Sequence, residues 1–419
     1  MTKSCLKSIS PDALTGMIFA LEGMRNAVVL LNGPMGCRFY HSTTSQFLTV
    51  HPRLYLPLNE GDERVPVDYA FLNDWFFRQE RVPSTYLDGY DYVYGTKDKV
   101  ADALRYIAKN IDFELLSIVN SPGAALIGDN LLEIARSILG DKRSVMLESP
   151  GFSEPFERGY SEALRAVIAQ VGPALWGDGA NAAPRNEGAK SVNILGLSIW
   201  HRYHEGDLRE LRRLFGLCGI QVNACPCAGC TIEELSRLPQ ADLNVVLYSE
   251  MGADAARLLE EMLGQSYYIC RVPPVGFAAT QRMFADICEL LGVSDEALVL
   301  ESEKARALAW YKIKQVDTSS GKPKGVAFHV SGGESQVKAY SEFLSEYLGM
   351  IWADPEDAEL VFADANLIAE LMLQNKTFCG IEINLPGMGY IDLVPKTHLG
   401  IEGSLFLVEQ VLNGLMSRL

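Results

Sequence analysis

The chain has 419 residues, 48% of them hydrophobic, nine cysteines and a formal net charge of −16. That length exceeds one ordinary domain, and the acidic balance excludes the basic footprint that duplex nucleic acid requires. No apolar run reaches membrane-spanning length and the N-terminus lacks a secretion-type apolar segment, so a cytoplasmic protein with reduced thiols is expected, with neither nucleic acid nor membrane as partner.

The aliphatic run 27–31 reads as a buried parallel strand. It stops at Asn32-Gly33-Pro34, and Gly33 and Gly36 permit a tight turn with the backbone close to a ligand. Cys37 follows at once. Ligands collect at the carboxyl ends of strands in open α/β sheets, which suits this thiol to metal or redox chemistry; a buried cysteine behind a strand is the plain alternative. Residues 42–90, with His51, Arg53, Trp75, Phe76 and Phe77, show no periodicity and read as a loop. Thr96 is expected to cap a helix over 97–110. A strand at 115–119, one helix over 123–138, a strand at 145–147 and a helix over 154–170 continue an alternation that implies a parallel sheet. Residues 173–190, rich in Gly, Ala, Asn and Pro, are the linker candidate.

A second unit follows, with strands at 192–197, 219–223, 243–248 and 267–270. Helices are expected over 206–217, 251–263, 278–291 and 295–313, and Thr231 to Glu234 opens another in the capping-box style. A break at 318–324 precedes a third unit, with a strand at 325–330, a helix over 334–348 and a last helix over 404–415. The expected fold is α/β: three Rossmann-like domains (1–190, 191–320 and 321–419), each a parallel sheet flanked by helices.

The sharpest local motif is Cys225-Pro226-Cys227-Ala228-Gly229-Cys230, three soft donors in a loop after a strand. Its spacing matches neither a ferredoxin nor a zinc ribbon. A fourth ligand has to come from elsewhere, Cys218 and Cys270 being candidates; reduced thiols in a tight loop are the alternative. His201 and His204, directly after a strand, are candidates to supply protons, and Arg202 to contact an anion; a structural role is the competing reading. Ser331-Gly332-Gly333 is a weak phosphate signal, and no P-loop pattern is present, so this chain does not read as an ATPase itself.

In order, PDALTGMIFALEGMRNAVVLLNGPMGC, SPGAALIGDNL, SPGF, VNILGL with ADLNVVLY, VAFHVSGG and HLGIEG resemble the motifs of the nitrogenase component 1 family. That family includes the molybdenum–iron protein, its cofactor scaffold and the dark-operative protochlorophyllide reductase. The resemblance implies domains around a central cavity and an iron–sulfur cluster of the 4Fe-4S type between homologous or identical paired subunits. It also implies an iron-protein ATPase as electron donor and a substrate, or a second metallocluster, in the cavity. On this pattern Cys37 is a cluster ligand and Ser121 stands where the family has a second cysteine. The position before the first helix falls near Asp12, with Cys5 displaced upstream, and the protochlorophyllide reductase uses an aspartate ligand. Tyr248 stands in place of a cofactor cysteine and His398 is one residue out of register, so dinitrogen reduction is not expected. Cys225, Cys227 and Cys230 are expected to hold a cluster in the cavity. The resulting expectation is an electron-accepting subunit of a nitrogenase-like reductase; a cluster-assembly scaffold or a structural partner subunit is the alternative.

Overall fold

The computed structural model describes residues 11–38, 82–148, 154–177, 189–374, 376–387, 392 and 394–416. Cys5, His51, Arg53, the 75–77 aromatics and the SPGF turn lie outside the described residues. The chain forms two compact units, the first built from 11–181 with 226–237, the second from 182–225 with 238–419.

The first unit holds a parallel sheet in the order β1 (Ala27–Asn32), β2 (Leu115–Asn120), β3 (Ser144–Glu148). Every residue of β1 and β2 is buried, which is why both read as continuous apolar runs and not as alternating ones. Val28, Leu30, Leu116 and Ile118 pack against Leu104 and Leu131 of the flanking helices. Helix Ala13–Glu22 lies on helix Phe156–Trp176. Glycines allow that approach: a methyl group on Gly16 would overlap the Phe156 carbonyl, and one on Gly159 the Ala13 carbonyl.

Three local expectations change here. The helix expected over 123–138 is two helices, Pro122–Ala125 and Leu131–Leu139. Gly128 between them takes φ +77°, and Asn130 caps the second by accepting from the Glu133 N–H. Thr96 does precede helix Lys97–Asn110, but its hydroxyl does not cap it. Helix Phe156–Trp176 runs on through Pro173 into the expected linker.

The second unit holds two parallel sheets. One has the order β5 (Ile220–Ala224), β4 (Lys190–Leu195), β6 (Leu243–Val246), β7 (Tyr267–Ile269). The other has the order β11 (Cys379–Glu382), β10 (Leu360–Ala363), β8 (Ala327–Val330), β9 (Ile351–Trp352). Three parallel sheets flanked by helices are the Rossmann-like pattern that the alternation implied. Helix Glu296–Ser320 is longer than expected and ends at Gly321, φ +68°, so residues 318–320 are helical. Helix Glu334–Glu342 gives way to a π turn, Phe343–Tyr347.

The last helix, Gly400–Met416, packs on helices His204–Leu217 and Glu296–Ser320. Its N-terminus is capped from a distance. The buried Glu210 carboxylate accepts from the N–H groups of Ile401 (3.1 Å) and Glu402 (3.0 Å), and Arg213 holds that carboxylate through Nε at 2.7 Å and Nη2 at 2.9 Å. A negative charge there complements the helix dipole. No helix among the described residues is long and apolar enough to cross a membrane.

Candidate functional site

In the first unit the carboxyl ends of β1 and β2 meet in a pair of asparagines. Asn32 donates to Asn120 Oδ1 at 2.8 Å and to the Thr96 hydroxyl at 3.2 Å, and accepts from the Thr85 hydroxyl at 2.8 Å. Thr96 passes its own hydrogen to Asp129 at 2.9 Å. Thr85 accepts from the Gly33 N–H, and Ser84 donates to the Gly33 carbonyl. The turn after β1 is therefore held at both its amide and its carbonyl by a buried, satisfied polar network. A side chain on Gly33 would crowd Ser121, whose Cβ and Oγ lie 2.8 Å from where a Cβ would sit. A Cβ on Gly36 would meet nothing within 4 Å among the described residues.

Cys37 sits half-buried on the 3-10 turn Met35–Arg38. Three residues far apart in sequence meet around it. Burial pushes the Cys37 thiol up, the negative charge of Asp12 adds to this, and a hydrogen bond from Ser121 pulls it back. Ser121 is itself the N-cap of helix Pro122–Ala125. Asp12 caps helix Ala13–Glu22, accepting from Thr15 N at 2.9 Å and Thr15 Oγ1 at 2.8 Å. Tyr92 leans on the same place, bonded to Ser121 and close to Cys37. A thiolate with a carboxylate in its neighbourhood suits iron, and a hydroxyl beside it steadies the thiolate. Two such donors do not close a cluster alone. Among the described residues no group of three or more His, Cys, Asp or Glu side chains is arranged to hold a metal ion.

The loop Cys225 to Cys230 has a different character. All three cysteines are buried, at 2%, 0% and 2% exposure. Within the first unit, Gly229 and Cys230 donate their N–H groups to the Gly23 carbonyl, and Arg25 N donates to the Cys230 carbonyl at 2.8 Å. Cys227 takes φ +62°, and its carbonyl lies where a side chain on Gly23 would be. The Cys230 thiol donates to the Thr231 carbonyl at 3.3 Å. The expected capping box is present, Thr231 with Glu234.

In the second unit the segment after β4 is stitched to the segment after β11. His201 bridges Asn384, Arg202 N donates to the Ile383 carbonyl, and Leu385 N donates to the Trp200 carbonyl. His201 accepts from Ser198 N at its Nδ1 and stacks on Tyr248, ring centroids 4.2 Å apart. Burial pushes its pKa down to about 3. His204 donates from Nδ1 to the His201 carbonyl, and its Nε2 has no hydrogen-bond partner among the described residues. Burial lowers its pKa as well. Both imidazoles are neutral at physiological pH. Arg202 faces carboxylates: Nη1 pairs with Glu382 at 2.5 Å and Nη2 with Asp392 at 2.9 Å.

A second buried knot lies in the same unit. His398 accepts from the Tyr340 hydroxyl at Nδ1 and donates from Nε2 to Gln410, each at 2.7 Å, and its ring stands edge-on to Tyr203. Asp207 accepts from Thr397 Oγ1 and from the N–H groups of His398 and Leu399. Ser331-Gly332-Gly333 leads into helix Glu334–Glu342, but Glu250 already takes the Ser335 N–H and hydroxyl there. A carboxylate of this chain thus occupies the place a phosphate would need.

Sequence reasoning missed Asn32, Asn120, Thr85, Asp129, Tyr92, Asp207 and Tyr340. A signal for the first pair existed: asparagine closes both buried strands, VVLLN and LSIVN. The second unit repeats the device, since Asn193 donates to Asn244 at 2.8 Å across β4 and β6.

The chain matches the family model described as nitrogenase component 1 type oxidoreductase over residues 13–353. It is 29% identical over 276 residues to a subunit of the light-independent protochlorophyllide reductase of Bradyrhizobium sp. (strain ORS 278), covering 64% of this chain and 51% of that protein. With the same subunit of that reductase from Chloroflexus aurantiacus (strain ATCC 29364 / DSM 637 / Y-400-fl) the identity is 29% over 314 residues, covering 72% and 54%. The chain spans about half the length of the curated relatives it matches. The solved structure of nitrogenase Cp1 at pH 6.5 superimposes with a TM-score of 0.71 at 16% identity, covering 100% of this chain and 95% of that one. At that identity the likeness concerns the fold alone.

Proposed function

Because the chain belongs to the nitrogenase component 1 type oxidoreductase family, we propose that it is the electron-accepting subunit of a nitrogenase-like reductase. In this reading Cys37 and Asp12 hold one side of an iron–sulfur cluster of the 4Fe-4S type, and a homologous or identical subunit supplies the remaining ligands. Such a cluster, when bound, passes single electrons. An iron-protein ATPase delivers them in this reading, as the family membership suggests. The observation that carries the reading is Ser121 bonded to Cys37 beyond the carboxyl ends of β1 and β2, with the charge of Asp12 felt at that thiol. Burial and Asp12 together push the Cys37 thiol up, the hydrogen bond from Ser121 opposes them, and the network from Asn32 to Asp129 fixes the turn that presents it.

Reduction of an unidentified substrate takes place at the carboxyl ends of the second unit's sheets. There His201 and His204 act as neutral imidazoles that orient and exchange a proton through an N–H, and not as imidazolium acids. Arg202, already met by two carboxylates, clasps the two segments together. Cys225, Cys227 and Cys230 have no step in this chemistry; their buried loop packed on Gly23 supports a structural role. The names of the curated relatives make a tetrapyrrole the first substrate class to try, before small unsaturated molecules and sulfur compounds.

The test is iron and acid-labile sulfide analysis of protein purified without oxygen, with its co-expressed partner subunit. Iron is expected in the native chain and is lost in Cys37→Ser; equal iron in both overturns the reading. A second reading, a scaffold that builds a cluster for another enzyme, is favoured by Ser121 standing where a second thiol is expected. Cluster transfer to an acceptor protein, without ATP-dependent substrate reduction, would select it.

A further inference from the structure

Two thiols outside the candidate site touch each other. Cys218 ends helix His204–Leu217, and Cys288 lies in the last turn of helix Phe277–Leu291. One turn earlier on each helix, Phe215 and Phe284 pack ring against ring with centroids 4.7 Å apart. Residues three and four apart share a helix face, so this ring contact carries the two cysteines together. Their side chains interact with each other, and both residues are buried, at 5% and 3% exposure. Each therefore has a sulfur neighbour within its own packing layer, on two different helices of one unit.

We propose that Cys218 and Cys288 form a hydroperoxide-responsive dithiol that closes to an intramolecular disulfide. Cys288, whose proton affinity falls beside Cys218, is taken as the thiol that ionises and attacks. Its sulfur takes the near oxygen of hydrogen peroxide and the O–O bond breaks, leaving a sulfenic acid on Cys288 and hydroxide, which the proton shed by Cys288 converts to water. The sulfur of Cys218 then attacks that of Cys288. The S–O bond breaks, and the departing hydroxide leaves as water with the proton of Cys218. Two thiols and one peroxide give one disulfide and two waters. Burial selects a small oxidant over a bulky disulfide. The bond ties the end of the helix that begins at His204 to its neighbour, and it does so independently of any cluster.

The test treats the full chain with hydrogen peroxide, blocks remaining thiols with iodoacetamide under denaturing conditions and maps peptides without reduction. The expected result is loss of two alkylatable thiols and a linked Cys218–Cys288 peptide, lighter than its halves by two hydrogens and released by dithiothreitol. In Cys218→Ser, dimedone is expected to trap a sulfenic acid on Cys288; in Cys288→Ser, Cys218 stays alkylatable. Full alkylation of both cysteines at a peroxide dose that oxidises Cys37 would overturn the proposal, as would a link from either one to a different cysteine.

Discussion

Arg202 and Glu382 form an ion pair with side chains only 7% and 3% exposed, and the other end of the guanidinium reaches Asp392. Two charges taken from water in this way are stable only together. Arg202→Met leaves Glu382 buried without its cation, and a loss of about 3–5 kcal/mol is expected, read as a lower urea midpoint. An unchanged midpoint, with impaired substrate binding alone, would return Arg202 to the role of an anion contact.

Acid is expected to weaken the second unit. His201 and His398 are held neutral, with pKa values near 3 against an ordinary 6.5, and His204 shifts the same way. Unfolding restores their proton affinity, so their contribution is present above pH 6.5 and is lost as pH falls toward 3. Asp207 opposes them. Burial pushes its carboxyl from 3.8 up to about 7, so its share of stability is full below about pH 4 and is lost as pH rises through 7. Three histidines outweigh one aspartate, and between these limits each net proton is worth roughly 1.4 kcal/mol per pH unit. The urea midpoint at pH 5 should lie below that at pH 7, and His398→Gln should flatten the difference. A higher midpoint at pH 5 would refute the assignment.

Asn32→Leu keeps the size of the side chain and removes all three of its hydrogen bonds to Asn120, Thr85 and Thr96. Each buried group left unpaired costs about 1–3 kcal/mol. The turn that carries Cys37 should loosen first, so iron content is expected to fall before the fold does. The matching change in the next sheet, Asn193→Leu, should lower stability and leave iron bound.

Elements with local causes were legible from the residues. The strand, glycine turn and cysteine from 27 to 37 declare themselves within eleven positions, as do the capping box at Thr231 and most strands. What escaped depends on partners far away. Thr96 looked like a helix cap because its competitor, Asp129, lies 33 residues on. Arg202 read as a contact for an anionic ligand because its own carboxylates, Glu382 and Asp392, lie beyond any periodicity window. The break between helices Pro122–Ala125 and Leu131–Leu139 was hidden by an apolar pattern that continues across it. The ligand reading of Cys225 to Cys230 rests on residue type and spacing, and the packing of their loop on Gly23 comes from a partner far earlier in the chain.

Gly16→Ala and Gly159→Ala each place a methyl group on a backbone carbonyl of the facing helix. The helices must move apart, at a cost of about 1–3 kcal/mol in overpacking. Because Asp12 caps one of these helices beside Cys37, iron binding should weaken in the same variants. Gly36→Ala, which meets none of the described residues, is the control expected to leave stability within about 0.5 kcal/mol.

The loop that bonds to Gly23 comes late in the chain, yet residues 226–237 belong to the same compact unit as 11–181. During synthesis, then, the first unit's sheet and the helix pair Ala13–Glu22 and Phe156–Trp176 emerge before its last piece. The carbonyl of Gly23 waits for its partners until the ribosome has also delivered β4, β5 and the cysteine loop. The order of translation thereby couples completion of the first unit to the birth of the first strands of the second.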